Sequence, residues 1–299
     1  MQGIASAVGF VGLGNIGSPI ARNLAERIAS LVAYDSAGTR ARLPANAQAA
    51  DGIGDLARRC GITFLSLPNG DAVASVVTAL VASNGESLRT IIDLSTIGVR
   101  AARAAAEHAG RAGVDYLDAP VSGGVAGAAV RNIAVMCAGA RAAFDEAASV
   151  LEAISSKVFY VGTKPGQGQA LKLLNNFLSA TALAATSEAV EFGLRHDLAM
   201  DVMLEVLNAS SGRNSATADK FPNQIATRRY AGGFRNTLMG KDINLYLAEA
   251  RDSRCEGPIA DLIGAIWRSF NETMPAQDFT RIFDYVRGKF PAVPDSRGT

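Results

Sequence analysis

The amino-acid sequence predicts an α/β chain with a doubly wound parallel sheet in its first half and an all-helical second half. Two observations carry this. Short apolar runs alternate with helix-length stretches up to about residue 136, the signature of a parallel sheet wound by helices. From Gly168 onward the pattern has helical periodicity and no strand pattern competes with it.

The first run, Ala7 to Val11, passes directly into Gly12, Leu13, Gly14, Asn15, Ile16 and Gly17. This is G-x-G-x-x-G after a strand and before the helical repeat Ile16, Ile20, Leu24, Ile28, which is the context a dinucleotide fingerprint requires. Gly12 permits the tight turn, Gly14 lets backbone approach a pyrophosphate, and Gly17 allows close helix–strand packing. The helix N-terminus then offers N–H groups and a positive dipole end to phosphate. The second run, Leu31 to Tyr34, ends at Asp35. An acidic residue there suits the ribose hydroxyls and repels a 2′-phosphate, which favours NAD over NADP, although Arg40 and Arg42 follow closely. A plain turn residue before Ser36 and Gly38 is the competing reading of Asp35.

Further strands are expected at Ile62 to Leu67, Thr90 to Leu94, Tyr116 to Leu117 and Ile133 to Met136, with helices over Asp71 to Val81 and Val99 to Ala109. Ligands gather beyond the carboxyl ends of such strands. Those ends carry Pro68 and Asn69, Ser95 and Thr96, and Asp118 to Gly124. Ser122, Gly123 and Gly124 suit either a concave anion site built from backbone N–H groups or a flexible surface turn, and spacing alone does not choose.

The expected domains are residues 1–164 and 165–299, divided near Lys164 and Pro165. A long helix is expected over about 168–194, with Leu171, Leu174, Leu178, Ala182, Ala185, Ala189 and Phe192 as its apolar stripe, whose many small neighbours suit close packing on other helices. Lys172 and Asn176 lie one turn apart on this helix and share a face. Later helices are expected at Val202 to Leu207, Thr237 to Asp252, Ile259 to Phe270 and Phe279 to Val286.

Composition excludes several functions. At 299 residues and 48% hydrophobic the chain can fill two cores. A net charge of +1, with Arg228–Arg229 the nearest thing to a basic run, argues against a nucleic-acid surface. No apolar segment reaches the 18 residues of a membrane span. Cys60, Cys137 and Cys255 are too scattered for a disulfide framework or a zinc knuckle, as expected of a cytoplasmic protein with reduced thiols. His108 and His196 have no partner at metal-ligand spacing, and no G-x-S-x-G marks a hydrolase.

With these residues in series, the chain resembles the β-hydroxyacid dehydrogenase family. Gly9 to Leu24 is similar to its N-terminal signature; Leu67, Pro68 and Asn69 to its cofactor loop; Asp93 to Thr96 to the segment beside the nicotinamide ribose. Asp118 to Gly124 resembles its substrate motif, Gly166 to Asn176 its catalytic motif, and Lys241 with Asp242 a further motif. The resemblance runs along nearly the whole chain, with departures at Ile16, at Arg131 and Asn132, and at Gly240.

It implies a Rossmann-type domain, a long interdomain helix and a helical domain that helps form the active site and the interface of a homodimer or homotetramer. It implies Gly12, Leu13, Gly14, Asn15, Ile16, Asp35, Leu67, Pro68, Asn69, Thr96, Phe234 and Lys241 as cofactor contacts. Ser122, Gly123, Gly124 and Asn176 are the implied contacts of a small carboxylate-bearing hydroxy acid, and Ser211, Arg213 and Asn214 border its pocket. Lys172 is the implied acid/base group, its pKa expected to be lowered by partial burial near another cation. An imine reductase and a dinucleotide-binding reader without catalysis are the rival readings.

Overall fold

The computed structural model describes residues 7–83 and 87–289, so the expected domain limits at residues 1 and 299 lie outside the described residues. Those residues form two compact units that divide after Lys172.

The first unit opens with β1 (Ala7–Val11), α1 (Gly17–Ala25), β2 (Leu31–Tyr34), β3 (Ala47–Ala49), α2 (Ile53–Arg59), β4 (Cys60–Leu65) and α3 (Gly70–Ala82). It continues through β5 (Thr90–Asp93), α4 (Val99–Gly110), β6 (Asp115–Asp118), β7 (Val121–Ser122), α5 (Gly124–Ala129), β8 (Ala134–Ala138), α6 (Arg141–Ile154) and β9 (Lys157–Gly162). The order β3-β2-β1-β4-β5-β6 is parallel throughout, and its reversal between β2 and β4 around β1 makes the doubly wound pattern. Beyond β6 the sheet becomes mixed, because β8 runs antiparallel to β6 and β7 while β9 is parallel to β8.

Strands β1, β4 and β5 are buried almost throughout, as parallel strands covered on both faces must be. One core, around Phe10, Ile20, Leu24, Phe64 and Leu151, fills one side; a second, around Leu56, Val73, Leu80 and Ala102, fills the other. Strands β3 and β7, of three and two residues, are too short to show a period, and β9 shows no clean alternation; none was expected from the sequence.

The second unit is helical among the described residues. The helix α7 (Gln167–Arg195) spans the division and leads to α8 (Met200–Asn208), a π-helix over Ala216–Ile225, α9 (Asn236–Asp252), α10 (Pro258–Thr273), and α11 (Ile282–Arg287) after a short 3₁₀ turn. Its core gathers Leu183, Val190, Phe221, Ile243, Trp267, Phe270 and Phe283. Glu191, buried on α7, accepts from both Arg195 (3.0 Å) and Arg287 (2.8 Å), which ties α11 to α7.

The expected stripe of α7 does not form the buried face. Leu174, Leu178 and Phe192 are exposed, whereas Leu173, Asn176, Ala180, Leu183, Ala184, Ser187 and Val190 face inward. Apolar side chains occur on both sides of this helix, and periodicity cannot say which side meets the chain's own core.

Candidate functional site

At the end of β1 the backbone turns sharply, and Gly12 takes a φ of 97° that an L side chain rarely adopts. A Cβ on Gly12 would stand 2.3 Å from the Ser66 carbonyl, and one on Gly17 only 1.9 Å from the Gly12 carbonyl. Nothing lies within 4 Å of a Cβ on Gly14, so space is open where a pyrophosphate would approach the N-terminus of α1. Leu13 is buried, while Gly14 and Asn15 are exposed and Ile16 half-buried. The loop therefore fits the phosphates of a dinucleotide.

Asp35 follows β2 with its side chain 9% exposed, and Oδ2 accepts the Leu13 N–H at 2.6 Å. Its other oxygen accepts from the Ala37 N–H at 2.8 Å, which leaves the carboxylate braced against the glycine loop. Arg42 Nη1 stands 3.5 Å from Oδ2. The acid suited to ribose hydroxyls and a cation suited to a phosphate thus sit together.

The strand ends hold a buried polar network. The Leu67 N–H donates to Ser95 Oγ (2.9 Å), and the Ser95 N–H donates to Asp93 Oδ1 (2.9 Å). The Tyr116 hydroxyl donates to Asp93 Oδ2 at 2.6 Å. Burial pushes the Asp93 carboxyl up to about 6 against the pull of Ser95 and Tyr116, and pushes the Tyr116 phenol well above its ordinary value. Asn69 accepts from the Ala72 N–H and caps α3, and Thr96 is half-buried. Pro68 is exposed beside Asn69.

Gly123 and Gly124 both take positive φ, 140° and 67°, between Ser122 at the end of β7 and the first turn of α5. Such a turn is closed to larger residues at its first position, since a Cβ on Gly123 would lie 2.9 Å from the Asn132 carbonyl.

The start of α7 is fastened to this unit, which extends through Lys172. Asp118, at the end of β6, accepts the N–H groups of Gly166 (2.9 Å) and Gln169 (2.8 Å). Burial pushes its carboxyl up to about 6 against those two donors. Lys172, one turn further along, is 8% exposed.

In the helical unit Asn176 is 5% exposed and donates to Asp242 Oδ2 at 2.6 Å. Lys241 Nζ lies 2.9 Å from Asp242 Oδ1 as an ion pair. Lys241 and Asn176 therefore meet at Asp242, which the resemblance names only as part of a motif and without a role of its own. Phe234 is half-buried and packs edge-on against Phe279, ring centroids 5.8 Å apart.

Ser211 and Arg213 are exposed. Asn214 instead caps the π-helix, its Oδ1 accepting from Ala216 (2.7 Å) and Thr217 (3.2 Å), and it reaches Thr186 on α7. Besides Asp242, sequence reasoning omitted Asp93, Tyr116, Asp118 and Gln169 as site residues. Acidic residues at strand ends were a visible signal for two of these; Gln169 lies inside the Gly166–Asn176 motif but carried no role of its own there.

Among the described residues no His/Cys/Asp/Glu cluster suits a metal ion, and no helix is long and apolar enough to cross a membrane. Cys60 and Cys137 are buried thiols whose ionisation burial pushes up to about 12, so both are inert.

Two family models match the chain in succession: the NAD binding domain of 6-phosphogluconate dehydrogenase over residues 7–162, and the NAD-binding region of NADP-dependent 3-hydroxyisobutyrate dehydrogenase over residues 166–286. The chain is 33% identical over 298 residues to a 3-hydroxyisobutyrate dehydrogenase of Pseudomonas aeruginosa, covering 94% of this chain and 99% of that protein. It is 32% identical over 264 residues to 2-(hydroxymethyl)glutarate dehydrogenase of Eubacterium barkeri, covering 87% of each. Its structure is similar to that of Mycobacterium tuberculosis 3-hydroxyisobutyrate dehydrogenase with L-serine, at a TM-score of 0.86 and 28% identity over 94% of this chain and 99% of that one.

Proposed function

The chain belongs to the β-hydroxyacid dehydrogenase family and is an NAD(P)-dependent oxidoreductase of hydroxy acids; from that premise we propose that it transfers a hydride between NAD and a small 3-hydroxy acid or the matching semialdehyde, with Lys172 as the acid/base group. The observation that carries this is a lysine 8% exposed on a helical turn bonded to the strand ends, where ligands of such sheets gather.

When bound, the nicotinamide supplies the hydride acceptor or donor. Lys172 takes the hydroxyl proton as the carbinol carbon is oxidised and returns it to the carbonyl oxygen in reduction. Asn176, held by Asp242, orients the substrate, and the turn Ser122–Gly124 binds its carboxylate. Gly12 to Ile16 and Asp35 hold the phosphates and ribose; Leu67 to Asn69, Thr96, Phe234 and Lys241 line the remainder of the cofactor. Asp35, braced under the glycine loop, supports NAD over NADP. Ser211 and Arg213, exposed on the loop that Asn214 closes, shape substrate specificity.

The protein acts as a homodimer or homotetramer, for which the exposed Leu178 (60%) and Phe192 (66%) on α7 supply apolar contact. Three unbridged cysteines support a cytoplasmic setting.

Screening short 3-hydroxy acids with NAD and with NADP, by absorbance of the reduced cofactor, identifies the substrate and checks the cofactor reading; a marked NADP preference overturns the role of Asp35. Lys172→Ala is expected to lower kcat roughly 10²- to 10⁴-fold while cofactor affinity changes less than about twofold. Full turnover in that variant rules out the assignment of Lys172.

A further inference from the structure

The sequence places Gln169 three residues before Lys172, on the same helical face and inside the Gly166–Asn176 motif, and assigns it no role of its own. In the structure its side chain is wholly buried and every polar atom is used. Gln169 Oε1 accepts the N–H groups of Ile97 (2.9 Å) and Gly98 (3.2 Å), and Nε2 donates to the Ser95 carbonyl at 3.0 Å. The three backbone groups belong to the turn that follows β5, and the side chain substitutes for the secondary-structure partners that this turn lacks.

The backbone of the same residue is held from another direction. Its N–H and that of Gly166 meet the two oxygens of Asp118, so a carboxylate from β6 caps α7 as a helix's own N-cap residue would. Between these two attachments sits Gly168, where a Cβ would lie 2.3 Å from the Met136 carbonyl and 2.8 Å from the Asp118 carbonyl. The helix thus rests directly on the end of β6 and the middle of β8. Ser95, which receives the Gln169 amide at its carbonyl, also receives the Leu67 N–H at its hydroxyl. A continuous run of hydrogen bonds therefore joins the loop after β4 to the turn that carries Lys172.

We infer that Gln169 and Asp118 are positioning residues that fix the first turn of α7 at two points and thereby set where the Lys172 amine stands relative to the strand-end loops. The inference rests on Lys172 being the acid/base group. A proton-transfer group must be held within a few tenths of an ångström of its working geometry, and a long lysine side chain achieves this only if its helix cannot slide or roll. Two fixings on one turn, one through a side chain and one through backbone N–H groups, remove both motions.

The test is a double-mutant cycle on the full chain, with 3-hydroxyisobutyrate as substrate at saturating NAD. Gln169→Ala is expected to lower kcat about 10- to 100-fold, with KM for substrate and affinity for NAD within about threefold and cooperative melting retained. In a Lys172→Ala background the same change is expected to cost less than about twofold, because the group it positions is gone. Equal losses in both backgrounds overturn the inference, since a residue that only supports the fold acts regardless of Lys172.

Gln169→Glu keeps the acceptor for Ile97 and Gly98 and loses the donor to Ser95. It is expected to recover part of the lost kcat, and it carries the cycle if the alanine variant does not fold; a loss in kcat no larger in the wild-type background than in Lys172→Ala then counts against positioning. Asp118→Asn, which turns an amide donor toward one of two N–H donors, is expected to lower kcat with the same dependence on Lys172. If Lys172→Ala alone retains turnover, the acid/base reading and this inference fall together. If Lys172→Ala loses turnover and Gln169→Ala does not, only the positioning role falls.

Discussion

The two stretches of α7 solve opposite problems. Its first turns bury polar groups, with Gln169, Lys172 and Asn176 all nearly inaccessible, and hydrogen bonds to elements far away in sequence hold Gln169 and Asn176. The later turns bury mostly small apolar residues such as Ala180, Ala184 and Val190, with Ser187 and Glu191 as bonded polar exceptions, while presenting Leu178 and Phe192 to the outside. The difference teaches that in one helix geometry is specified where polar groups are buried and satisfied, since an unmet buried donor or acceptor costs about 1–3 kcal/mol. Apolar contact is less demanding about register and serves packing and association.

Gly168→Ala breaks the comparison most forcefully. The added methyl meets main-chain oxygens that cannot rotate away, so the pinned turn must lift, and a loss of about 3 kcal/mol or more is expected, beyond ordinary overpacking. Thermal unfolding and kcat are both expected to fall; an unchanged melting temperature would show that the turn is not seated on the strand ends.

The buried support beneath that turn sets the next largest effect. Asp93 has its folded-state ionisation raised from 3.8 to about 6, so the folded protein holds a proton that the unfolded chain has released across that interval. Its contribution is therefore present below pH 4 and is lost as the pH rises to about 6. Relative to Asp93→Asn, wild-type stability is expected to fall by on the order of 2 to 3 kcal/mol between those limits, read by denaturant titration at several pH values. Parallel curves for the two proteins would contradict the burial-driven shift.

The smallest effect on folding is expected at the other stretch. Leu178→Glu changes an exposed side chain, so the stability of the folded chain itself is expected to move by less than about 0.5 kcal/mol. What changes is association: light scattering after gel filtration is expected to show the variant at the mass of a single chain while wild type runs as an oligomer. A wild-type monomer would remove the assembly reading of the stripe.

Much of the first unit was legible because strand, glycine turn and helix are local and repeat in order. Gly12 to Gly17 announces a phosphate turn through sterics that any such turn obeys, and β1, β2, β4, β5 and β6 follow from apolar runs of strand length. The π-helix over Ala216–Ile225 escaped notice because its interior Pro222 reads as a break and its N-terminus is held by Asn214, a residue with a pocket role in the reading by resemblance. Asp242 stood beside Lys241 in plain view, yet its link to Asn176 spans 66 positions and no periodicity reports it.

By itself, the order of residues determined the α/β class, the dinucleotide turn, the helical second half and the sharing of a helical face by Lys172 and Asn176. All of these depend on interactions within a few positions or on one apolar repeat. Tertiary structure alone decided which face of α7 turns inward, and that a glutamine given no role of its own meets Ser95, Ile97 and Gly98 more than 70 positions away. Those outcomes depend on which buried polar groups find partners, and the partners come together only once the sheet has formed.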